Sequence, residues 1–435
     1  MLDYQATYPG MPLNVCTLLL AEGPSLSLEE LRDFVAERIK VLPDLLRQRI
    51  VRLPGRRARW GWTVDPDLTI DDLVRERLLP PGSGRAGLRA ALGELVGSPV
   101  PVSAPPWQLW LLHGQDDGFA LLYRASHVHQ DGAAKNLMIA TLFGADSAPS
   151  YGTEPARWHP QGRPGPRALG AAIHRTGQWL APTPAPAALT GPAGGMTHSW
   201  VSTPLRRLQA IGLAGGATVN DVFLAVLAGA LRAWLADDDG PSSDVGATMA
   251  VSTRRPAEHR LLGNYVAGAR VLLPCSVEAP VERLAAVRAR TVQLKRGGHL
   301  GIGERLLFDA LPARLRRHVL ARGLGTRSAA LSLSNVFTPS GPPRWRAAPC
   351  IMLCQYRHCS RGSASRSISV VSMVSPASVR RSAAPCMGWR IPPSGGWPSC
   401  VSSRSRWGCP PPDRAGRLSP LADRVGITRP HRTGQ

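Results

Sequence analysis

His127, His129 and Asp131 stand at alternate positions in Ser126-His127-Val128-His129-Gln130-Asp131-Gly132, the stretch of this 435-residue chain with the most potential for chemistry. An imidazole there can take up a proton near neutral pH, and a carboxylate four residues on can hold its surroundings in place. Three arrangements fit these residue types. In the plainest, the segment is a strand-to-helix turn, with Asp131 near the helix start and Gly132 supplying backbone freedom. In the second, an extended chain turns His127, His129 and Asp131 to one side as metal ligands. HxHxD matches the opening of the metallo-hydrolase signature HxHxDH, but Gly132 stands where the last His belongs and no convincing downstream ligands follow. In the third, His127 is a general base and Asp131 holds the local geometry.

The neighbouring residues say which elements must carry this stretch. Phe119 to Ala125 (FALLYRA) is an apolar run that predicts a buried strand, and Trp107 to His113 (WQLWLLH) predicts another. GQDDG lies between them, and its Asp117-Gly118 pair suits a tight hairpin turn. After Gly132, AAKNLMIATLF places Leu137, Met138 and Leu142 on one helical face, with Gly144 at the stop. A rigid strand thus delivers the histidine to the mouth of a helix, a usual place for chemistry.

The motif favours the third arrangement by resemblance. HxxxDG is the central motif of coenzyme A-dependent acyltransferases of the chloramphenicol acetyltransferase-like fold, and the surroundings resemble one branch, the bacterial wax ester synthase/diacylglycerol acyltransferase family. That family's motif is HHxxxDG; here SHVHQDG puts His127 at the catalytic second His and Ser126 at the first. PPWQLWLL (Pro105 to Leu112) looks like the family's PLWELWL, with Pro106 where Leu is usual. Trp62 to Pro80 looks like its W-x-D-x-x-F-D-x-x-x-H-V-R-x-x-x-L-P segment. Thr218 to Leu235 looks like its ND helix, Leu262 to Pro274 like its GN strand, and Leu333 to Val336 matches the start of SNVPGP. These segments follow the family's order over roughly residues 10 to 336.

Composition sets bounds. The length suggests two domains, and 43 % hydrophobic residues is ordinary for a soluble protein. No run approaches 18 apolar residues, so no transmembrane helix is expected, and MLDYQATYPG lacks the basic start of a secretory signal. The expected location is cytoplasmic, with peripheral contact at the inner membrane face left open. A net charge of +22 invites a nucleic-acid reading. However, residues 341–435 hold 15 Arg and no Lys against Asp413 and Asp423, a net +13, so the first 340 carry about +9. With only Lys40, Lys135 and Lys295 in the chain, the arginines reflect coding bias, and no nucleic-acid partner is expected.

In chain order, residues 11–23 predict a first strand. Ser27 and Glu30 form a capping-box pattern before a helix facing inward with Leu31, Phe34, Val35 and Ile39. Leu53 to Arg59 is a basic turn, taken as a solvated loop, and Leu88 to Leu95 predicts a helix. Residues 1–145 make the first lobe. Residues 146–196 are a Pro/Gly/Ala-rich crossover linker with one short helix, Ala168 to Leu180. Residues 197–340 make the second lobe. There Thr218 and Asp221 cap a helix with Phe223, Leu227, Ala230, Leu231 and Trp234 on one face, ended by Asp237 to Gly240. Thr248 to Val251 and Tyr265 to Leu273 predict strands, and Asn264 suits a turn.

Past Asn335 the text changes. Residues 341–435 hold six of the eight Cys, among them Cys350, Cys354 and Cys359, whose spacing is not a paired zinc pattern. Where the family continues SNVPGP…PLYLAGRPV, this chain reads SNVFTPSGPPRWRAAPC, and a shifted reading frame can encode P-L-A-G-R-P-L there. The tail is therefore read as frameshifted, with a natural disordered tail as the alternative, and no strands are expected from it beyond the short run RSISVVSMVS.

The resemblance implies an α/β (α+β) two-lobed coenzyme A-dependent acyltransferase fold. Each lobe is a mixed sheet flanked by helices, the active-site channel runs between them, and the C-terminal lobe is incomplete. It implies that His127 Nε2 deprotonates an alcohol attacking the acyl-CoA thioester, without an acyl-enzyme. Asp131 then orients the turn and Gly132 starts the helix close to the substrate. Asn220, Asp221, Asn264 and Asn335 are the substrate-channel candidates, although capping explains Asp221 well. Acyl-CoA is a substrate, with no further cofactor and no metal expected. The acceptor is a diacylglycerol or a long-chain alcohol, and contact with a membrane or lipid droplet is left open. A condensation-like acyltransferase and a catalytically impaired remnant are the competing readings.

Overall fold

Two of the predicted strands lack a polar break because their sheet is covered on both faces. The structure, a computed structural model, describes residues 1–2, 5, 13–22, 24–40, 44–54, 59–101, 104–115, 118–143, 165–183, 186, 198, 203–235, 243–255, 258, 261–296, 300–324 and 331–337, and the backbone of strands within 347–374. The first lobe begins with β1 (Leu13–Glu22), then helix α1 (Leu28–Ile39), and the hairpin strands β2 (Gln48–Leu53) and β3 (Arg59–Val64). A short helix α2 (Ile70–Leu73) leads into β4 (Val74–Leu78) and helix α3 (Gly84–Gly97). Strands β5 (Trp107–Gln115) and β6 (Gly118–Ser126) then deliver helix α4 (Gly132–Phe143). Asp117, half of the expected hairpin turn, lies outside the described residues, as does Gly144.

β1, β6, β5 and β4 are neighbours in one sheet, antiparallel except for β4 beside β5. Alternation sorts their side chains. Val15, Leu19, Leu109, Leu121 and Tyr123 pack with Leu31, Val35, Met138 and Leu142 of α1 and α4. Cys16, Leu18, Leu112, Ala120 and Leu122 pack with Leu88, Leu92 and Leu95 of α3. Each large side chain so buried contributes roughly 1.5–3 kcal/mol. The capping box before α1 is formed: the Glu30 N–H donates to Ser27 Oγ (3.1 Å) and the Ser27 N–H to Glu30 Oε2 (2.8 Å).

The second lobe follows α5 (Pro166–Leu180), the helix expected inside the linker; the rest of that linker lies almost wholly outside the described residues. α6 (Leu205–Ala214) and α7 (Val219–Leu235) pack against a sheet of β7 (Val245–Ser252) and β8 (Val266–Leu273). α8 (Pro280–Lys295), α9 (Ile302–Ala310) and α10 (Ala313–Gly323) precede β9 (Leu331–Phe337), which runs parallel to β7. No single helix among the described residues is long and apolar enough to cross a membrane.

The tail departs from expectation. β10 (Ala347–Tyr356) pairs antiparallel with β1 at the edge of the first-lobe sheet. A small pair, β11 (Cys359–Ser360) and β12 (Ser363–Ala364), leads to β13 (Ile368–Val374), parallel to β9 in the second. The segment expected to supply no strands beyond RSISVVSMVS thus supplies one to each lobe. Ile351, Met352 and Leu353 sit among cysteines, and an unbroken apolar run has no period-2 signal to find. Truncation after residue 340 would bare the β1 edge, so the shortened chain should aggregate where the full chain stays monodisperse in size-exclusion chromatography.

Candidate active site

Ser126 ends β6, and its carbonyl accepts from the His129 N–H (2.9 Å) and the Gln130 N–H (3.1 Å), which folds the motif into a tight turn. The chain is therefore not extended here, and the one-sided ligand arrangement of His127, His129 and Asp131 does not form. His127 is 3 % exposed. Its N–H donates to the Leu13 carbonyl of β1 (2.6 Å), and its own carbonyl accepts from Asn264 Nδ2 (2.5 Å). His127 is thus gripped through its backbone from both lobes. Burial holds the His127 imidazole below its ordinary pKa, while a bond to its own backbone and the Asp131 charge push the other way.

Asp131 is fully buried, and its carboxylate does three jobs at once. Oδ1 accepts from the Ala134 N–H (2.8 Å) and so caps the first turn of α4. Oδ2 accepts from the Tyr265 N–H (2.8 Å) at the start of β8 and pairs with Arg254 Nη1. Arg254 also donates from Nη2 to the carbonyls of Leu261 and Gly263, both at 3.1 Å, and lies 4.8 Å over the Tyr265 ring. The Asp131 N–H reaches the Gly263 carbonyl (3.2 Å). Gly263 holds φ +124°, a conformation that side chains rarely adopt, and its turn presents Asn264 to the motif.

Gly132 opens α4, as expected of a helix start, and its lack of a side chain matters for packing too. A Cβ there would lie 2.6 Å from Val336 Cγ2, so the glycine lets β9 approach the start of α4. The four substrate-channel candidates make the following contacts. Asp221 accepts from the Thr218 N–H (2.8 Å) and Oγ1 (2.7 Å) and from Thr291 Oγ1 (2.8 Å), which makes it a buried cap between α7 and α8. Asn264 braces the motif backbone. Asn335 donates to Asn220 Oδ1 (3.3 Å), and Asn220 Nδ2 contacts Met249 Sδ (3.8 Å). Asn335 shares its strand face with Leu331 and Leu333, which pack under α7, while Val336 on the opposite face meets Gly132.

Several participants carried no signal in the motif. Arg254 sits 123 residues from Asp131. A basic residue between a predicted strand and the GN turn was the available clue. Gln130 accepts from the Tyr123 hydroxyl (2.9 Å) and contacts His129 Nδ1 through its amide (3.1 Å). The His129 ring also stands 5.3 Å from the Trp62 ring.

Two substitutions test this assembly. Gly132→Ala should cost about 1–3 kcal/mol in denaturant unfolding, and adding Val336→Ala should return part of it. Asp131→Asn leaves Arg254 buried without its counter-charge and should lower the melting temperature as well as activity, with a cost of about 3–5 kcal/mol. An unchanged melting profile with lost activity would instead assign Asp131 to the chemistry.

Residues 2–198 match the family model described as the wax ester synthase/diacylglycerol acyltransferase catalytic domain. A Mycobacterium tuberculosis H37Rv protein carrying a provisional diacylglycerol O-acyltransferase name is 28 % identical over 383 residues, 78 % of this chain and 73 % of that protein. A second from the same strain, named likewise, is 28 % identical over 364 residues, 72 % and 76 % of the two chains. The wax ester synthase/diacylglycerol acyltransferase of Marinobacter aquaeolei VT8 superposes with a TM-score of 0.54 at 20 % identity, covering 86 % of this chain and 89 % of that one. The first condensation domain of the calcium-dependent antibiotic synthetase gives 0.58 at 15 % identity, covering 86 % of each. The likeness to these solved structures carries the two-lobed fold; the match to the wax ester synthase/diacylglycerol acyltransferase model covers residues 2–198, and the mycobacterial proteins, similar at 28 % identity, extend the likeness beyond it.

Proposed function

We propose that this chain transfers a fatty acyl group from acyl-CoA to an alcohol, with His127 as the general base. The observation that carries the reading is the state of His127: buried, held below its ordinary pKa, and fixed by backbone bonds from β1 and from the GN turn. A neutral imidazole can accept the proton of an acceptor hydroxyl as its oxygen attacks the thioester carbonyl. The new C–O bond forms, the C–S bond breaks, and the proton passes to the departing thiolate. An alcohol is a very weak acid, so a base within hydrogen-bond reach at the moment of attack replaces any need for a covalent intermediate. Asp131 acts by positioning: it ties the turn to Arg254 and Tyr265 and leaves the proton to His127.

The acceptor in this reading is a diacylglycerol or a long-chain alcohol, and the proposed location is the cytoplasm, with contact at a lipid surface. A condensation-like acyltransferase is the second reading, and an amine acceptor is the probe that tests it. Offering hexadecanol, dioleoylglycerol and a primary amine of equal chain length with hexadecanoyl-CoA separates the two; faster amide than ester formation would reverse the assignment.

His127→Ala should lower ester formation by about 10²–10⁴-fold, while His129→Ala should cost far less. The pH dependence has a definite sign. Because burial lowers the His127 pKa, the neutral base persists below pH 6.5, and the acid limb of kcat/KM should inflect on the acid side of an ordinary histidine. The same shift means that the unfolded chain binds the extra proton first, so His127 contributes a loss of stability as pH falls below about 6.5. An acid limb at or above pH 6.5, or one that survives in His127→Ala, would contradict the assignment.

A further inference from the structure

The hairpin β2–β3 stands outside both larger sheets, yet one of its faces reaches the motif turn. Ile50 lies opposite Trp62 and Arg52 opposite Trp60, so these four share that face. Ile50 is buried, and the Arg52 guanidinium lies 3.9 Å over the Trp60 ring. Trp62 is placed differently. Its ring centroid is 5.3 Å from that of His129, which is 1 % exposed, while Trp62 itself is 37 % exposed. Val64, next along the same face, is also exposed. A single indole therefore reaches from solvent to the turn that carries His127, two residues before His129. Leaving more than a third of so large an apolar ring in water forgoes part of the burial that usually holds a tryptophan in place. An aromatic face with only two side-chain torsions can instead take up an apolar ligand at small entropic cost.

We propose that Trp62 is a specificity-determining residue: its indole, with Val64 beside it, is the apolar wall along which a long alkyl chain lies on its way to His127. The proposal rests on the acyl-transfer reading of His127. The chain it receives is either the acyl group of the thioester or the alkyl group of the acceptor, and two arms of one experiment tell these apart. In the first, kcat/KM is measured for butyryl-CoA and hexadecanoyl-CoA with one alcohol. In the second, butanol and hexadecanol are compared with one acyl-CoA. Trp62→Ala should lower the long-to-short ratio roughly tenfold in one arm, the factor expected from losing contact with about two buried methylenes. Trp62→Phe should keep most of that ratio, and Trp62→Gln should lose it, which preserves the contrast if the alanine variant does not fold. A uniform fall at every chain length would make Trp62 a mere support of the turn and overturn the proposal, as would no change at all. If the wild-type chain forms no ester with any pair, the acyl-transfer reading itself fails. Equilibrium dialysis of hexadecanoyl-CoA, butyryl-CoA and radiolabelled hexadecanol then decides on Trp62 alone: loss of long-chain binding in the variants upholds the wall, and equal binding removes it.

Discussion

One buried carboxylate holds the two lobes to a common geometry. Asp131 closes the first turn of α4 in one lobe and accepts from Tyr265 and Arg254 in the other. Such a group is costly to bury and tolerable only when its oxygens are taken up by donors and a counter-charge. Here the donors come from opposite sides of the lobe boundary, so the energetic demand of Asp131 fixes how the lobes meet. Asn264 and Gly263 add bonds to the His127 carbonyl and the Asp131 N–H along the same seam. The histidine is held by its backbone, and the carboxylate nearby does structural work.

That division of labour orders the rest of the site. Backbone bonds fix the position of His127, and burial favours its neutral ring. His129, Gln130 and Tyr123 form a separate polar chain beneath the turn, capped by the Trp62 ring. Gly132 and Val336 set the closeness of β9 to α4, which no hydrogen bond could do. Asn220, Asn335 and Asp221 support the second lobe from its helix side.

Local pattern made much of the first lobe legible. Continuous apolar runs marked β5 and β6, a reciprocal Ser27–Glu30 pair marked α1, and Thr218–Asp221 marked α7. HxxxDG singled out His127 because its spacing is local too. What escaped was either long-range or shaped by fit. Nothing near Asp131 names Arg254, and nothing near Gly132 names Val336. Asn264 was visible as a turn residue, but its reach to the His127 carbonyl depends on how the second lobe is set down. The strand β10 was missed because a short apolar run among cysteines carries no period, and only pairing with β1 gives it a role.

Leu13 brings several of these threads together. Its carbonyl holds the His127 N–H, its register partner is Tyr356 of β10, and its side chain packs with Leu320 and Leu324 at the end of α10. The ribosome makes Leu13 and His127 well before these partners, and chains emerge at roughly 5–20 residues per second. The first lobe is therefore translated many seconds before the residues that brace its histidine exist. A nascent chain carries every atom of the motif and still lacks the seam and the edge strand that hold it in place. The bracing of the motif thus waits on residues made in the second half of synthesis, long after the motif itself.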